Sequence, residues 1–393
     1  MSLNTTHYDF IIAGGGLAGL SLACHLARTP LCGRSILIVD QDPKRQNDRT
    51  WGFWADKPTL FDGVVSHTWD QLLVAGPESA PHTARLQTYR YKVIRGIDLY
   101  ADARRQLQDR PNVTFLQGTI EAIEDGRDAA RICVDGKELT GAWIFDSLPP
   151  RFERDAPFQV LKMHFHGWEV LTPSASFDPE TVTFMDFRTP QEGKMRFFYV
   201  LPYAADRALV EFTVFSQRVL PRQAYEDALR QYLASVLQVT DYAIDAEESG
   251  AVPITDNPLE RSLGRRVMAI GARAGRIKPS TGYAYVRIQK DCEKIIDSLL
   301  LYGHPFNVTD DPDLYDVMDA VLLKVIAQQG DFLSTAFESL FAHNTMDEIL
   351  RFLDEVASPR EVLELISAMP PQAFIKAAVE VMRTENLLDI IKG

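Results

Sequence analysis

The first forty residues of the chain combine apolar runs with a glycine-rich break. Residues 8–13 form an apolar run typical of a buried strand, and residues 17–23 carry the small and apolar side chains typical of a helix. A second apolar run, residues 35–40, ends in Asp40. This order of strand, helix and strand predicts a βαβ unit.

The pattern after this unit is mostly that of strands. One helix is predicted from about Ile94 to Gln108, and short strands follow up to residue 150. From Phe158 to about Gly250 the chain is rich in β-branched and aromatic residues, which favour a sheet. A mainly antiparallel sheet and one helix, near 221–236, are predicted there, with strands at 159–171, 181–187, 195–201, 207–215 and 242–253.

The last third of the chain predicts a return to the first region and then a helical end. Residues 266–271 have the pattern of a buried strand, and a helix capped by Ser280 or Thr281 is expected to run to about Tyr302. From Asp311 onward, apolar residues recur at helical spacing, which favours core stripes over a membrane anchor. The predicted fold class is α/β, with a Rossmann-type domain, an inserted mainly antiparallel sheet and a C-terminal helical region.

Composition narrows the class of protein. The chain has 393 residues, 46% hydrophobic and 24% charged, as in soluble globular proteins. No uncharged apolar run is long enough for a membrane-spanning helix, and the first residues lack the features of a secretory signal, so a cytoplasmic protein is expected. The formal net charge of −13 argues against a nucleic-acid partner.

Cysteine and histidine spacing does not indicate a metal site. The four cysteines lie far apart, without a C-x-x-C pair. His164 and His166 alternate on a predicted strand, and we interpret them as part of a solvated face rather than as metal ligands. No metal is therefore expected.

The glycine-rich break carries the first candidate chemistry. Gly14, Gly16 and Gly19 have the G-x-G-x-x-G spacing, in which glycines permit a tight turn and a close approach of backbone to a pyrophosphate. An acid about twenty residues later is suited to bind a ribose hydroxyl. The alternative is a glycine turn in an ordinary βαβ unit. The residues predicted to bind the dinucleotide here are Gly14, Gly15, Gly16, Leu17, Ala18, Gly19, Asp40 and Gln41.

An aromatic cluster follows a polar loop. Trp51, Phe53 and Trp54 fall within four residues, so they indicate either a buried edge strand or one wall of a pocket.

Two distant glycine segments resemble the FAD-binding fold of the aromatic hydroxylases and geranylgeranyl reductases. In those flavoproteins the late segment usually reads Gly-Asp-Ala, with Pro and Gly following, whereas Ala272 stands here in place of the acid. Arg95 resembles the arginine that these enzymes place beside the flavin. The resemblance adds these FAD contacts: Arg49, Arg95, Gly271, Gly275, Pro279, Ser280, Thr281, Gly282 and Tyr283.

More specifically, the chain resembles the flavin-dependent lycopene cyclases from end to end. The matching segments include Asn47–Trp54, Gly167–Val170, Phe184–Arg188, Phe198–Pro202, Leu209–Thr213 and Pro279–Tyr283. The resemblance implies closure of the ends of lycopene into β-ionone rings without net redox change, with reduced FAD and NAD(P)H as electron donor. It also implies contact with the inner face of the cell membrane, through the C-terminal helices. The predicted FAD-binding domain comprises 1–65, 85–150 and 255–303, the substrate domain 66–84 and 151–254, and the helical region 304–393.

The resemblance and the chemistry of carbocations indicate an acid among aromatic residues. Glu211 lies between Leu209, Val210 and Phe212 on a predicted strand and is expected to protonate the substrate, the alternative being a salt-bridged or edge-exposed glutamate. Many cyclases have a second acid where Phe212 stands, so the acid function of this motif is expected to fall on Glu211. Asp186 and Glu169 are weaker candidates, as supporting groups or as the base. Trp51, Trp54, Trp168, Phe187 and Phe198 are the predicted substrate-binding aromatics, or else core residues.

Two other functions fit the same motifs. A flavin monooxygenase or reductase acting on another isoprenoid or aromatic substrate would consume NAD(P)H in step with product. A non-catalytic carotenoid carrier would show no turnover.

Overall fold

The computed structural model describes residues 7–150, 152, 158–309 and 313–392. Predictions that concern residues 1–6 lie outside the described residues. In chain order the strands are β1 (His7–Ala13), β2 (Ile36–Asp40), β3 (Thr50–Ala55), β4 (His67–Trp69), β5 (Gln71–Ala75), β6 (His82–Arg85), β7 (Arg90–Arg95), β8 (Val113–Gln117), β9 (Ile120–Glu124), β10 (Ala130–Val134), β11 (Lys137–Asp146), β12 (Val160–Leu171), β13 (Thr181–Asp186), β14 (Met195–Ala204), β15 (Arg207–Ser216), β16 (Ala243–Thr255) and β17 (Val267–Ala269). The α-helices are α1 (Leu17–Leu26), α2 (Gly96–Leu107), α3 (Arg222–Ser235), α4 (Tyr285–Tyr302), α5 (Asp313–Gln329), α6 (Phe332–His343), α7 (Met346–Leu353), α8 (Pro359–Ile366) and α9 (Pro371–Lys392).

The first sheet holds the predicted βαβ unit. Its strand order is β8-β2-β1-β11-β10-β9, with β17 also paired to β11, and the pairs β8–β2, β2–β1, β1–β11 and β11–β17 are parallel. The apolar runs of β1 and β2 are buried because α1, α2 and α4 pack against them. The parallel core places the carboxyl end of β1 beside that of β2, where the glycine turn begins.

The second sheet is mainly antiparallel, in the order β16-β12-β15-β14-β13-β5-β6, with a parallel pair between β13 and β5. Helix α3 packs on one face. Helices from the C-terminal region pack on the other face, against residues of β13, β14 and β15. A small sheet, β3-β7-β4, contributes further buried residues to that same side. The α/β fold class is thereby confirmed.

The C-terminal helices begin where the sequence places strong start signals. Thr345 and Ser358 are N-caps of α7 and α8, and each forms a capping box with a glutamate three residues later. A buried ionic cluster ties this region to the segment before α4, since the Lys278 ammonium contacts Asp319 at 3.2 Å and Glu355 at 2.7 Å. The helical region is therefore anchored by charge as well as by apolar packing.

Two sequence-based expectations about local structure are wrong. Helix α4 begins at Tyr285 after Ala284, not after Ser280 or Thr281, because the chain first makes a turn in which the Gly282 amide donates to the Lys278 carbonyl at 2.8 Å. His164 and His166 lie on a buried face, because α3 covers it.

Among the described residues, no helix is both long enough and apolar enough to cross a bilayer.

Candidate active site

The glycine turn after β1 leaves room that only glycine provides. At Gly14, where φ is 110°, an added Cβ would lie 2.2 Å from the Ser147 Oγ, and at Gly19 it would lie 2.0 Å from the Gly14 carbonyl oxygen. At Gly16 an added Cβ would meet no atom within 4 Å, and no side chain caps the start of α1. The N–H groups of the first helical turn therefore face open space, as a bound pyrophosphate requires.

Asp40 closes the other side of this turn. One of its carboxylate oxygens accepts a hydrogen bond from the Gly15 amide at 2.7 Å, and the other accepts from the Asp42 amide at 2.8 Å. A cavity of about 310 Å³, lined by Asp40, Arg104 and Phe115 among others, opens beside it. The Gln41 carbonyl accepts a hydrogen bond at 3.3 Å from the side chain of Gln117, which lines this cavity. Leu17 and Ala18 are buried in α1.

The late glycine segment returns to this turn. Gly271 packs so closely against α1 that an added Cβ would lie 2.6 Å from the Ala18 Cβ, and Gly275 ends the short 3₁₀ helix that follows. Pro279 and Ser280 lie in the turn before α4. Thr281, Gly282 and Tyr283 line a central cavity of about 390 Å³, as does Ala272, the residue that replaces the expected acid.

The central cavity lies between the late segment and the second sheet, and its walls combine carboxyl, phenol and apolar groups. Glu211 faces it from β15, and Glu248 faces it from β16. Tyr91, Tyr199 and Tyr283 surround it on other sides, and Trp51 and Arg49 lie on the wall formed by β3 and the loop before it. The predicted acid thus does face a cavity with aromatic walls.

Strand register brings the two glutamates together. Gly167 on β12 is the direct partner of Glu211 on one side and of Glu248 on the other. An added Cβ at Gly167 would lie 3.3 Å from the Glu211 Cβ and 3.1 Å from a Leu209 methyl group, so the glycine leaves the space that the carboxylic side chains use. The two carboxyl groups hydrogen-bond to each other across β12.

Glu248 is a site residue that the sequence analysis missed. It stands in an acidic stretch of an edge strand whose neighbouring residues are mostly exposed, so the sequence resembles a solvated strand. Glu247 and Glu248 look alike in the sequence, and only the register on β12 decides which one faces the cavity. Gly167 could have indicated such a residue, because it belongs to a segment that resembles the lycopene cyclases and leaves space beside Glu211.

Burial and mutual repulsion hold protons on this pair. Burial raises the pKa of Glu211 well above its ordinary value, and the charge of Glu248 raises it further. Burial also raises the pKa of Glu248, to about 7, although the Thr50 hydroxyl donates to its carboxylate at 2.6 Å and thereby lowers it. Of the two carboxyl groups, Glu211 therefore holds a proton more strongly, and Glu248 is the one that ionises more readily.

A second, almost wholly apolar cavity of about 710 Å³ lies between the second sheet and the C-terminal helices. Tyr199, Thr281 and Tyr283 line both this cavity and the central one, and the two phenol oxygens are 3.1 Å apart. Val317, Leu363 and Ile375 also line the apolar cavity, with 41%, 65% and 61% of their surface exposed. This apolar cavity therefore runs from an exposed apolar rim to the tyrosines of the central cavity.

The two weaker acid candidates do not join the pair. Asp186 is fully buried on the opposite face of the sheet, where Arg188 donates to it at 2.6 Å and the Tyr232 hydroxyl at 2.6 Å. Glu169 forms an ion pair with Arg207. Both carboxylates are thus engaged with cations, and the prediction that they support the acid is not supported by their positions.

The predicted substrate-binding aromatics also differ in position, because some lie at or near a cavity and others lie on the opposite face of the sheet. Trp51 lines the central cavity, while Trp54 lies behind Tyr283, with ring centroids 4.5 Å apart. Phe187 packs behind Phe197, one layer from the apolar cavity. Trp168 and Phe198 contact α3 on the far face, so for these two the role of core residues is the correct one, because adjacent residues of a strand point to opposite faces.

The two predicted arginines differ in position. Arg49 lines the central cavity beside Trp51 and pairs with Asp48 at 3.1 Å. Arg95 ends β7 and pairs with Asp98 at 2.6 Å, with about half of its side chain exposed. In the described part of the chain, no cluster of three or more His, Cys, Asp or Glu side chains is arranged to hold a metal ion.

This fold is that of the flavoprotein-type reductases and monooxygenases. It matches a solved structure of a geranylgeranyl bacteriochlorophyll reductase-like protein from Thermoplasma acidophilum, with a TM-score of 0.59 and 14% identity over 95% of this chain and 99% of that chain. At this identity the match concerns the fold.

The chain belongs to the lycopene cyclase family. The family model described as lycopene cyclase protein matches residues 9–379, which confirms the resemblance. The chain is 25% identical to neoxanthin synthase of Solanum tuberosum over 71% of its length and 24% identical to lycopene beta cyclase of Arabidopsis thaliana over 76%. It spans 58% and 61% of the length of these two relatives.

Proposed function

We propose that the chain is a flavin-dependent lycopene cyclase that closes the linear ends of lycopene into β-ionone rings, giving γ-carotene and then β-carotene. The observation that carries this proposal is the position of Glu211, a carboxyl group with a raised pKa that faces an aromatic cavity. Family membership supports the same substrate class.

The reaction divides into three steps. A proton is delivered to the terminal C=C, the next alkene attacks the resulting tertiary cation, and the ring cation then loses a proton. Glu211 supplies the first proton, because burial raises its pKa well above the ordinary value and so favours its protonated form. Tyr91, Tyr199 and Tyr283 surround the cavity, and aromatic faces stabilise cations.

We infer that the glycine turn binds FAD. Gly14 and Gly19 permit the tight turn and the close packing of α1, and Gly16 borders the open space at the start of α1 in which a pyrophosphate can lie. Asp40 offers carboxylate oxygens to the ribose. In its reduced form, maintained by NAD(P)H, FAD would stabilise the substrate cation or relay the proton. Replacing NAD(P)H with photoreduced FAD under anaerobic conditions should sustain cyclisation.

The apolar cavity is suited to the polyene chain, and its exposed rim is suited to a membrane surface. Val317, Leu363 and Ile375 combine exposure with contact to the cavity, so this rim can meet the acyl chains in which a carotenoid dissolves. The purified chain should pellet with zwitterionic liposomes, which avoid repulsion by its net negative charge. The double variant Leu363→Ser and Ile375→Ser should pellet less.

A matched control is Leu301→Ser, which changes a leucine that is 75% exposed near the end of α4. Its pelleting should equal that of the native chain. Equal loss in both variants would show that general surface hydrophobicity, rather than this rim, carries the contact.

The decisive experiment is expression in lycopene-accumulating cells, followed by chromatography of the pigments. Appearance of γ- or β-carotene with the native chain, and not with Glu211→Gln, is the expected result. Unchanged lycopene in the presence of folded, flavin-loaded protein would contradict the proposal. Consumption of NAD(P)H in step with product would instead assign the chain to the reductases or monooxygenases.

A further inference from the structure

We propose that Glu248 is the proton-sharing partner of Glu211, and that the two carboxyl groups work as one unit that holds a single proton before each turnover. This inference rests on the proposed cyclase function for its chemistry, but the shared proton itself is a property of the flavin-loaded protein and can be measured without substrate.

The geometry of three adjacent strands supports the pairing. Both glutamates stand opposite Gly167, so their side chains rise from the same face of the sheet and converge above the one residue that has no side chain. No lysine or arginine hydrogen-bonds to either carboxyl group among the described contacts. Two like groups this close cannot both ionise at low cost, so one proton stays between them.

Hydrogen bonds decide which glutamate carries the proton. The Thr50 hydroxyl and the Thr50 amide both donate to Glu248, which stabilises its ionised form. Glu211 accepts from the Thr213 hydroxyl at 2.9 Å and has the more strongly raised pKa. The protonated form of the pair is thus Glu211 as acid, donating to a Glu248 carboxylate.

Burial shifts the pKa values of the tyrosines and the histidine around the pair away from neutral pH. It raises the pKa of the four tyrosines that face the pair, so the phenols stay neutral, and it lowers the pKa of His67. The charge of Arg49 lowers the pKa of Glu248. The titratable and charged groups around the pair include Tyr91, Tyr199, Tyr203, Tyr283, Arg49 and, stacked on Tyr203, His67.

The proton that the reaction uses comes from the pair, and the proton that it releases returns to the pair. Glu211 breaks its O–H bond as a C–H bond forms on the terminal alkene, and the pair then carries two negative charges beside the substrate cation. These charges stabilise the cation while the ring closes. When the ring C–H bond breaks, its proton re-forms an O–H bond on the pair and its electrons form the ring C=C. No oxidant or reductant enters the balance, and the pair ends as it began.

The test compares the native chain with Glu248→Gln and with the control Glu247→Gln, all loaded with FAD. Glu247 is adjacent in sequence but pairs with Arg222, beyond the far face of the sheet. Turnover of lycopene in liposomes is measured from about pH 5 to about pH 9, and infrared difference spectra over the same range follow the C=O stretch of protonated carboxyl groups.

The native chain and Glu247→Gln should show a bell-shaped profile, because the active form needs Glu248 ionised and Glu211 protonated. Glu248→Gln should lose the acidic limb, and its basic limb should move down by about one to two pH units, because removal of the neighbouring charge lowers the pKa of Glu211. Thr50→Val, which removes a donor to Glu248, should move the acidic limb to higher pH.

An unchanged pH profile and unchanged carboxyl band in Glu248→Gln would overturn the inference. A uniform loss of turnover without any shift of either limb would also overturn it, because that pattern belongs to a purely structural residue. If the native chain shows the shared proton in the infrared spectra but leaves lycopene unchanged, the cyclase proposal fails and the pairing stands.

Discussion

The second sheet buries carboxyl groups on both of its faces, and the two faces neutralise them in opposite ways. On the α3 face, Asp186 is held by the Arg188 guanidinium and the Tyr232 hydroxyl. On the cavity face, Glu211 and Glu248 face each other. A carboxylate paired with a cation is a structural element, whereas a carboxyl group paired with another carboxyl group keeps a proton that it can deliver. The partner of a buried acid therefore decides its role.

The largest difference between the faces should be in catalysis. Glu211→Gln keeps the shape of the side chain but removes the proton donor, so turnover of lycopene by the purified, flavin-loaded chain should fall about 100-fold to 10,000-fold. Product formation is measured by chromatography, with thermal unfolding and bound flavin as checks on folding. Near-native turnover in a folded, flavin-bound variant would remove Glu211 from the mechanism.

The free energy of unfolding should depend more on the acid of the α3 face, Asp186, than on the acids of the cavity face. Asp186→Ala leaves the Arg188 guanidinium and the Tyr232 hydroxyl without their shared acceptor, so the free energy of unfolding should fall by about 3 kcal/mol. Denaturant unfolding measures this change. The control Asp227→Ala removes an acceptor on α3 whose two contacts are both exposed, one with Arg230 at 3.2 Å and one with Gln223 at 2.7 Å. Its unfolding midpoint should equal that of the native chain.

The cavity face should also make stability depend on pH. The folded-state pKa of Glu248 lies near 7 against an ordinary value of 4.5, so between these values the folded state holds a proton that the unfolded chain has lost. As the pH rises from 4.5 to about 7, the ionisation of Glu248 should therefore lower the free energy of unfolding of the native chain by about 3 kcal/mol.

The double variant that carries both Glu211→Gln and Glu248→Gln does not lose stability in this way. The difference in unfolding free energy between it and the native chain should therefore grow from about pH 4.5 to about pH 7. Groups outside the pair cancel in this difference. A difference that stays constant with pH would show that the pair keeps ordinary pKa values.

The smallest effect should come from the glycine between the two acids. In Gly167→Ala the new methyl group would lie 3.3 Å from the Glu211 Cβ and must displace that side chain by a few tenths of an ångström, so turnover should fall about tenfold. Gly63→Ala, whose added Cβ would meet no atom within 4 Å, is the control and should retain native turnover. Equal turnover in both variants would show that the spacing of the pair is tolerant.

Much of the fold follows from local patterns in the chain. The apolar runs that end at Ala13 and Asp40 predicted β1 and β2, and the alternation near Glu211 predicted β15 to within one residue at its C-terminal end. These segments have strong periodicity and one buried face, so local sequence decides their type. The start of α4 was wrong because a turn around Gly282 intervenes between the hydroxyl residues and the helix.

The site was harder to predict because it depends on pairing between distant strands. Glu211 could be selected from its apolar neighbours, but Trp168 and Phe198 lie on the other face of the same sheet. Which face a strand residue occupies, and which acid on β16 stands opposite Gly167, follows from register. Register is set by the whole sheet and is not visible in any one segment.

The edge position of β16 determines when the pair of glutamates forms during folding. Since β16 is an edge strand, the partnership of Glu211 and Glu248 exists only after this last strand has docked on β12 in register. A slip by one residue would turn Glu248 outward and bring Glu247 in. The register of backbone hydrogen bonds between β12 and β16 therefore decides whether the two carboxyl groups meet. A folding intermediate in which β16 has not yet docked lacks both the carboxyl pair and the part of the cavity wall that β16 supplies.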